Sequence, residues 1–242
     1  SDLPEKYRAK VLTYSKLLEL GDGHTAAKEE NSLAYRMSLI KPGKCCTLVY
    51  TSGTTGPPKG VMLSHDNYIW TARQMVYTIT YEPGVQDRVV SFLPLSHVAS
   101  QITDLIGTVL LGGLVVFADS TALQGSLVQY LHDAKPTRFL AVPRVWEKIE
   151  EKIKAVAAKN GAIKQAIGNW AKNLGKQGTI PELMGEPTPF GFDLAKKLVF
   201  NNIKKAIGLD ECKYFYFGAA PLSLQSREYF LSLNIFISNV FG

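Results

Sequence analysis

The sequence is short of cysteine and of long apolar runs, and both shortages exclude classes of protein. Three cysteines among 242 residues, two of them adjacent at Cys45-Cys46, are too few for a disulfide framework or a zinc site. No stretch reaches the roughly 18 consecutive apolar residues of a membrane-spanning helix, and the N-terminus shows no apolar signal sequence. We therefore predict a cytoplasmic protein in a reducing environment.

Familiar catalytic and phosphate-binding motifs are also missing. The sequence has no G-x-S-x-G nucleophile motif, which argues against a serine hydrolase. Its glycine-rich stretch departs from the P-loop pattern, because Pro58 precedes Lys59 and Gly60 follows it. The kinase-type G-x-G-x-x-G pattern fails as well, since position 51 is a threonine. A phosphate loop in this chain therefore belongs to another family.

The net charge of +6 is confined to one region of the chain. Twelve Lys/Arg and six Asp/Glu lie between Arg144 and Lys205, whereas the remaining residues contain fifteen of each. Two interpretations stay open: a solvated helical face beside a polyanionic ligand, and peripheral attachment to anionic lipids of an intracellular membrane such as the endoplasmic reticulum. Nucleic-acid binding is not expected, because the basic residues alternate with acidic ones and no recognition motif accompanies them. The oligomeric state stays open.

Apolar periodicity predicts an α/β fold in which a mostly parallel sheet is flanked by helices. The predicted strands cover residues 46–50, 88–93, 114–118, 138–142, 214–217 and 235–240. The predicted helices cover residues 7–20, 25–37, 65–77, 100–111, 123–134 and 144–158. We expect the strand at 114–118 to be buried, and residues 175–192 to form an extended surface connection. Residues 1–44 are expected to be a helical lead-in to a core formed by residues 45–242.

Residues 51–60 have the composition of an anion-binding loop, with three glycines, four hydroxyl side chains and one lysine. The glycines let backbone N–H groups approach a ligand closely, and successive N–H groups form an anion-binding concavity. The hydroxyl groups add hydrogen-bond donors, and Lys59 adds a compact positive charge. We predict a polyphosphate site, with an ordinary Ser/Thr/Gly/Pro surface loop as the alternative.

Four segments resemble one enzyme family. Residues 50–61, Tyr-Thr-Ser-Gly-Thr-Thr-Gly-Pro-Pro-Lys-Gly-Val, match every fixed position of the signature loop of adenylate-forming enzymes. Residues 92–97, 142–149 and 217–223 resemble further segments of that family, in the same order. Together they are most similar to the "bubblegum" branch of acyl-CoA synthetases, which handles long and very long chains. The resemblance covers most of residues 45–242.

The resemblance implies part of the large N-terminal domain of an adenylate-forming enzyme, acting as an AMP-forming long-chain fatty acid–CoA ligase. Such an enzyme joins a fatty carboxylate to the α-phosphate of ATP with loss of pyrophosphate, and coenzyme A then displaces AMP to give the thioester. The implied ligands are ATP, Mg²⁺, coenzyme A as co-substrate, and a long-chain fatty acid. Neither step needs a protein nucleophile, because positioning and charge neutralisation supply the catalysis.

The resemblance also assigns roles to individual residues. Lys59 and His97 are the implied catalytic residues, with His97 orienting the carboxylate or gating the acyl channel. The Thr51 side chain is implied in the Mg²⁺ shell. The implied nucleotide-binding residues are Thr51, Ser52, Gly53, Thr54, Thr55, Gly56, Pro57, Pro58, Lys59, Gly218, Ala219, Ala220, Phe241 and Gly242. A tight strand-to-helix turn is the alternative for the residues around Gly218.

The family pattern continues past an aromatic-glycine pair, here Phe241-Gly242, with a glutamate that helps to hold Mg²⁺ and, later, with the adenylation lysine. We therefore expect residues 1–242 alone to be inactive, as the central part of a longer enzyme or as a truncated isoform. Two other functions stay open. One is a non-catalytic module that binds nucleotide or acyl chains. The other is a ligase for another carboxylic acid, against which residues 143–149 argue.

Overall fold

The computed structural model describes residues 11–22, 32–51, 58–78 and 86–240. Two short helices, α1 (Tyr14–Asp22) and α2 (Leu33–Ser38), precede the first strands. They overlap the helices predicted at 7–20 and 25–37, and each ends one or two residues later than predicted. The earlier parts of both predicted helices lie mostly outside the described residues.

An antiparallel hairpin carries the predicted phosphate loop. Its strands are β1 (Cys45–Thr51) and β2 (Lys59–Ser64), and Thr51 is the register partner of Lys59. Helix α3 (His65–Thr78) follows β2 directly. Ser64 caps its start, because the Asn67 N–H donates to the Ser64 hydroxyl at 3.1 Å. The loop between the strands is thus held at both ends by paired backbone.

Five further strands form parallel pairs. They are β3 (Arg88–Ser91), β4 (Leu114–Phe117), β5 (Arg138–Ala141), β6 (Tyr214–Phe217) and β7 (Ile237–Asn239). Strand β3 pairs with β4, and β5, β6 and β7 pair in that order. The Thr137 N–H donates to the Arg88 carbonyl at 2.9 Å, which joins the two groups of strands at β3 and β5. The predicted mostly parallel α/β fold is confirmed.

Helical segments connect and cover these strands. They are α4 (Val98–Ser100), a π-helix (Gln101–Gly107), α5 (Thr108–Leu110), a 3₁₀-helix (Ala122–Gln124), α6 (Leu127–Ala134), α7 (Pro143–Ala158), α8 (Ala162–Leu183), α9 (Phe192–Ala195), a second π-helix (Lys196–Phe200), α10 (Asn201–Ala206) and α11 (Leu224–Leu231). Across the part of the chain that the structure describes, no helix is both long and apolar enough to cross a bilayer.

Trp146 on α7 lies at the centre of the hydrophobic core. Its side chain is fully buried and meets the rings of Phe139 and Phe230 edge-on, with centroids 5.1 Å away in each case. Its indole N–H donates to the Tyr216 carbonyl at 3.0 Å, so the one polar atom of the ring is also satisfied. The helix predicted at 144–158 is confirmed, it packs its apolar face on the sheet, and Pro143 begins it in the position that proline favours.

Strand β4 is not buried as predicted. Leu114 and Phe117 are 46% and 56% exposed, because among the described strands β4 pairs with β3 alone and forms an edge. The apolar run of this segment indicated a strand correctly. It could not distinguish an edge from a central position, since both accept β-branched and aromatic residues.

The prediction of an extended connection at residues 175–192 is wrong over its first half. Helix α8 continues through Gly175 and Gly178 and ends at Leu183, two residues after Pro181. Both glycines are buried where another element approaches closely. A Cβ on Gly175 would lie 2.1 Å from the Ser232 carbonyl oxygen. These glycines therefore allow close packing of a helix and do not indicate a loop.

We expect Gly175→Ala to lower the free energy of unfolding by about 1–3 kcal/mol, because its Cβ overlaps the backbone at Ser232. Gly168→Ala in the same helix is the matched control, since nothing lies within 4 Å of the place that its methyl group would take. It should raise the free energy of unfolding by about 0.5–1 kcal/mol, through helix propensity. Urea denaturation of the chain measures both. Equal effects of the two substitutions would contradict the packing role of Gly175.

Candidate functional site

A cavity of about 1570 Å³ covers the face of the β5–β6–β7 sheet that points away from Trp146. Alternation along β6 underlies this division. Phe217 is buried in the core and Tyr214 and Tyr216 line the cavity, whereas Phe215 packs in the core and also borders the cavity. The cavity also contacts α3, the residues after β3, the C-terminal part of α8 and the second π-helix. One face of the sheet thus stabilises the domain, and the other is open to a ligand.

His97 lines this cavity six residues after β3 ends. It is the N-cap of α4, and its Nδ1 accepts the Ala99 N–H at 3.1 Å. In the neutral imidazole the other ring nitrogen, Nε2, therefore carries the proton. The ring is exposed and can donate this hydrogen to an oxygen atom in the cavity.

The turn after β6 lines the same cavity through Gly218 and Ala219. A Cβ on Gly218 would lie 3.2 Å from the Val240 carbonyl oxygen, so a larger residue would crowd the backbone directly after β7. Ala219 has a φ of 68°, a backbone conformation that residues other than glycine seldom adopt. Ala220 is exposed and lies outside the lining. The backbone of this turn is accessible to a flat ring.

The phosphate-loop residues are placed only in part. Pro58 and Lys59 are exposed at the start of β2, and neither lines the cavity that contains His97 and Gly218. The predicted site residues outside the described ranges are Ser52, Gly53, Thr54, Thr55, Gly56, Pro57, Phe241 and Gly242. The structure therefore brings together His97, Gly218 and Ala219, and it places the Thr51–Lys59 pair on the neighbouring hairpin.

A polar cluster at the far side of the cavity was not foreseen from the sequence. Lys204 donates to the Asn234 side-chain oxygen at 2.9 Å, and the Asn234 amide donates to Glu182 at 2.6 Å. Lys196 forms an ion pair with the same Glu182 carboxylate. Glu182 fell within the predicted surface connection, and nothing in the local pattern separates these residues from solvated charges. The sequence therefore held no signal that could have found this cluster.

Burial and charge shift the pKa values within this cluster. Burial lowers the pKa of Lys204 to about 8, and the nearby charge of Glu182 opposes only part of that effect. Burial alone would raise the pKa of Glu182. Hydrogen bonds from Lys196 and Asn234 and the charges of both lysines outweigh it, so the pKa of Glu182 is lowered. Glu182 is thus held as a carboxylate, whereas Lys204 is poised to lose its proton.

Both π-helices contribute to the cavity wall, the first through Ile102 and Thr103 and the second through Lys196. π-Helical turns are rare and occur frequently at functional sites. Within the described ranges, no group of three or more His, Cys, Asp or Glu residues could hold a metal ion. Apart from its polar cluster, the cavity is mainly apolar, which suits a ligand with a long hydrocarbon portion.

Comparison with known proteins gives the same family as the sequence motifs indicated. A family model described as AMP-binding enzyme matches residues 3–242. The chain is 45% identical over 244 residues to long-chain-fatty-acid–CoA ligase ACSBG2 of Xenopus laevis, covering 100% of this chain and 32% of that protein. It is 42% identical over 234 residues to ACSBG1 of Rattus norvegicus, covering 96% and 32%. The chain spans about a third of the length of these relatives.

Among solved structures, the fold is similar to the adenylation domain of a carboxylate reductase from Mycobacterium chelonae. The TM-score is 0.56 at 23% identity, and the match covers 83% of this chain and 27% of that one. At this identity the similarity concerns the fold alone.

The lowered pKa of Lys204 predicts a specific dependence of stability on pH. The unfolded chain binds this proton up to a pH of about 10.4, whereas the folded chain loses it near pH 8. The contribution of Lys204 to the free energy of unfolding therefore rises between these values. We expect the difference between wild type and Lys204→Met to grow in favour of wild type by on the order of 2–3 kcal/mol from pH 7.5 to pH 10.

Urea denaturation at a series of pH values measures this difference. Contributions that both proteins share cancel in it. One of them comes from Tyr229, because burial raises the pKa of its hydroxyl to about 12. Lys205→Met, on the exposed side of the same helix, is the control. It should change the free energy of unfolding by less than about 0.5 kcal/mol at each pH. Parallel curves for wild type and Lys204→Met would show that Lys204 is not buried at this cluster.

Proposed function

Because the chain belongs to the AMP-binding enzyme family, we propose that it provides the nucleotide- and acyl-binding part of an ATP-dependent long-chain fatty acid–CoA ligase. The family resemblance of its sequence motifs is confirmed. The observation that carries the proposal is the shared cavity, in which His97 and the Gly218-Ala219 turn open onto one mainly apolar space. A carboxylate near His97 and an adenine ring on the turn would share that space.

The size and lining of the cavity favour an acyl chain. Its volume of about 1570 Å³ exceeds the range of roughly 300–1,000 Å³ that is usual for small-molecule sites. Apolar side chains line it on opposite sides, from Trp70 and Met75 on α3 to Phe236 before β7. A hydrocarbon chain in this space would remove apolar surface from water at about 25 cal/mol per Å².

In the first step, the fatty carboxylate oxygen attacks the α-phosphorus of ATP. A new O–P bond forms, the bond to the β-phosphate oxygen breaks, and pyrophosphate leaves. His97 supports this step by donating its Nε2 hydrogen to the carboxylate oxygen that does not attack. That hydrogen bond orients the nucleophile within the cavity, because the Ala99 N–H holds the other ring nitrogen.

The departing pyrophosphate gathers negative charge, which the phosphate loop would neutralise. Lys59 supplies a cation at the end of the loop, and backbone N–H groups of residues 52–56 supply hydrogen bonds. We assign Mg²⁺ to the phosphates of bound ATP, with the Thr51 hydroxyl as the candidate protein ligand. When bound, the ion would reduce the charge on the phosphate oxygens.

In the second step, the coenzyme A thiolate attacks the acyl carbon, and the bond to the AMP oxygen breaks. The products are the acyl-CoA thioester and AMP. The turn at Gly218 and Ala219 would hold the adenine of both the acyl-adenylate and the departing AMP. Coenzyme A is therefore a co-substrate of the proposed reaction, and no covalent intermediate on the protein is required.

We also propose a cytoplasmic location with peripheral contact to anionic membranes, and a helical lead-in at residues 1–44 to the core formed by 45–242. Support for the membrane contact comes from α8, which carries Lys164, Lys172 and Lys176 and has no acidic residue before Glu182. Phe190, next to Gly191, is fully exposed, and Trp170, whose ring lies near Gly191, is partly exposed.

Lys59→Ala should reduce fatty-acid-dependent pyrophosphate release by about 100- to 1,000-fold in the full-length protein, because a charge that stabilises the leaving group is lost. Pyrophosphate is measured with palmitate and Mg-ATP as substrates. Lys44→Ala is the matched control, since Lys44 is an exposed lysine directly before β1. Unchanged turnover in Lys59→Ala would show that Lys59 does not belong to the site. If the wild type released pyrophosphate with benzoate and not with palmitate, the proposed substrate class would be wrong.

Vesicle sedimentation tests the membrane contact. Replacing Lys164, Lys172 and Lys176 by glutamine should weaken binding to phosphatidylserine vesicles by on the order of 100-fold, at roughly 1 kcal/mol for each lysine. The triple Lys→Arg variant keeps the charge and should bind as wild type does. Equal binding of wild type to neutral and anionic vesicles would contradict an electrostatic contact.

A further inference from the structure

A continuous path of hydrogen bonds connects the phosphate-loop hairpin to the turn that carries His97. It begins at Tyr68 on α3, which is 5% exposed. Its hydroxyl donates to the side-chain oxygen of Gln101, the first residue of the π-helix. The Thr47 side chain of β1 lies beside the Tyr68 hydroxyl. Tyr68 thus contacts both the hairpin and the segment after His97.

Gln101 continues the path into the turn before His97. Its side-chain amide donates to the Leu95 carbonyl at 2.6 Å, and its backbone N–H donates to the His97 carbonyl at 3.3 Å. One residue therefore binds the backbone on both sides of position 96. Since His97 is the N-cap of the helix that follows, this contact also sets where its ring lies.

The hairpin end of the path is firmly attached to α3. Ser64 and Asn67 exchange reciprocal hydrogen bonds of 3.0 and 3.1 Å at the junction between β2 and α3. The backbone N–H groups of His65 and Asp66 donate to the Lys44 and Pro42 carbonyls that precede β1. Strand β2, whose first residue is Lys59, and Tyr68 consequently belong to one unit.

We infer that Tyr68 and Gln101 are positioning residues that hold the His97 turn at a fixed place relative to the phosphate-loop hairpin. The inference rests on the proposed function, in which His97 orients the carboxylate and the hairpin binds the departing pyrophosphate. An in-line attack requires those two groups to be placed together to within less than about 1 Å. Neither Tyr68 nor Gln101 lines the cavity, so both act through the residues that do.

Polar contacts suit this task because they tolerate little displacement. Apolar side chains can slide past one another at small cost. A hydroxyl or amide that loses its partner is left unsatisfied, and the cost is greatest at the buried hydroxyl of Tyr68. A shift of the His97 turn would separate Gln101 from the Leu95 carbonyl or Tyr68 from Gln101. The path therefore favours one arrangement of the two halves of the site.

The experiment compares Gln101→Leu and Tyr68→Phe with wild type in the full-length protein. Gln101→Leu keeps a similar volume and removes both side-chain hydrogen bonds. Tyr68→Phe removes only the hydroxyl. Tyr77→Phe is the matched control, because Tyr77 lies on the same helix and is 68% exposed.

We expect kcat for palmitate-dependent pyrophosphate release to fall by about 10- to 100-fold in Gln101→Leu and by a smaller factor in Tyr68→Phe, with KM for ATP unchanged. The double variant should be no slower than Gln101→Leu, since both substitutions interrupt the same path. Loss of folded protein alone would lower the number of active sites, and active-site titration with an acyl-adenylate analogue corrects for it. An unchanged kcat in both variants would overturn the inference.

A second readout does not depend on turnover. The His97 ring resonance of the 242-residue chain, assigned with His97→Gln, should shift in both variants in the absence of ligand. The His132 resonance serves as an internal reference, because that ring contacts the Ala206 carbonyl on another part of the molecule. A wild type without pyrophosphate release would overturn the proposed function, and the His97 resonance would then decide the positioning role. An unshifted resonance would overturn that role.

Discussion

The packing of Trp146 against one face of the β5–β6–β7 sheet is the contact on which the rest of the structure depends. It buries the inward side chains of β6 and holds the sheet through a hydrogen bond from the indole to Tyr216. Because side chains alternate along a strand, this packing turns the other set, Tyr214 and Tyr216, toward the cavity. The stability of the domain and the floor of the site therefore arise from the two faces of the same strands.

The walls of the cavity arise from close packing elsewhere. Gly175 and Gly178 let α8 approach its neighbours, and this approach brings Glu182 within reach of Lys196 and Asn234. The resulting polar cluster ends an otherwise apolar space. A charged group at this position is stabilised by its partners, since an isolated buried charge would be very costly.

The proposed chemistry divides between two units that meet at α3. The hairpin carries Lys59 and the proposed phosphate loop, whereas His97 and the Gly218 turn belong to the parallel sheet and its connections. Reaction between ATP and a carboxylate requires the two units to be held at a fixed position relative to each other. The hydrogen bonds of Tyr68 and Gln101 lie at this junction, where small displacements would change the distance between the reacting groups.

The sequence by itself determined the family and the order of most strands and helices, and it predicted a phosphate loop. Those features depend on local patterns: the glycine and hydroxyl spacing of residues 51–60, and apolar periodicities such as that of α7. Only the tertiary structure decided that Gly175 lies inside a helix, that β4 is an edge among the described strands, and that Lys204 and Glu182 belong to one polar cluster. Each of these depends on which distant segment packs nearby, and a local pattern carries no information about that neighbour.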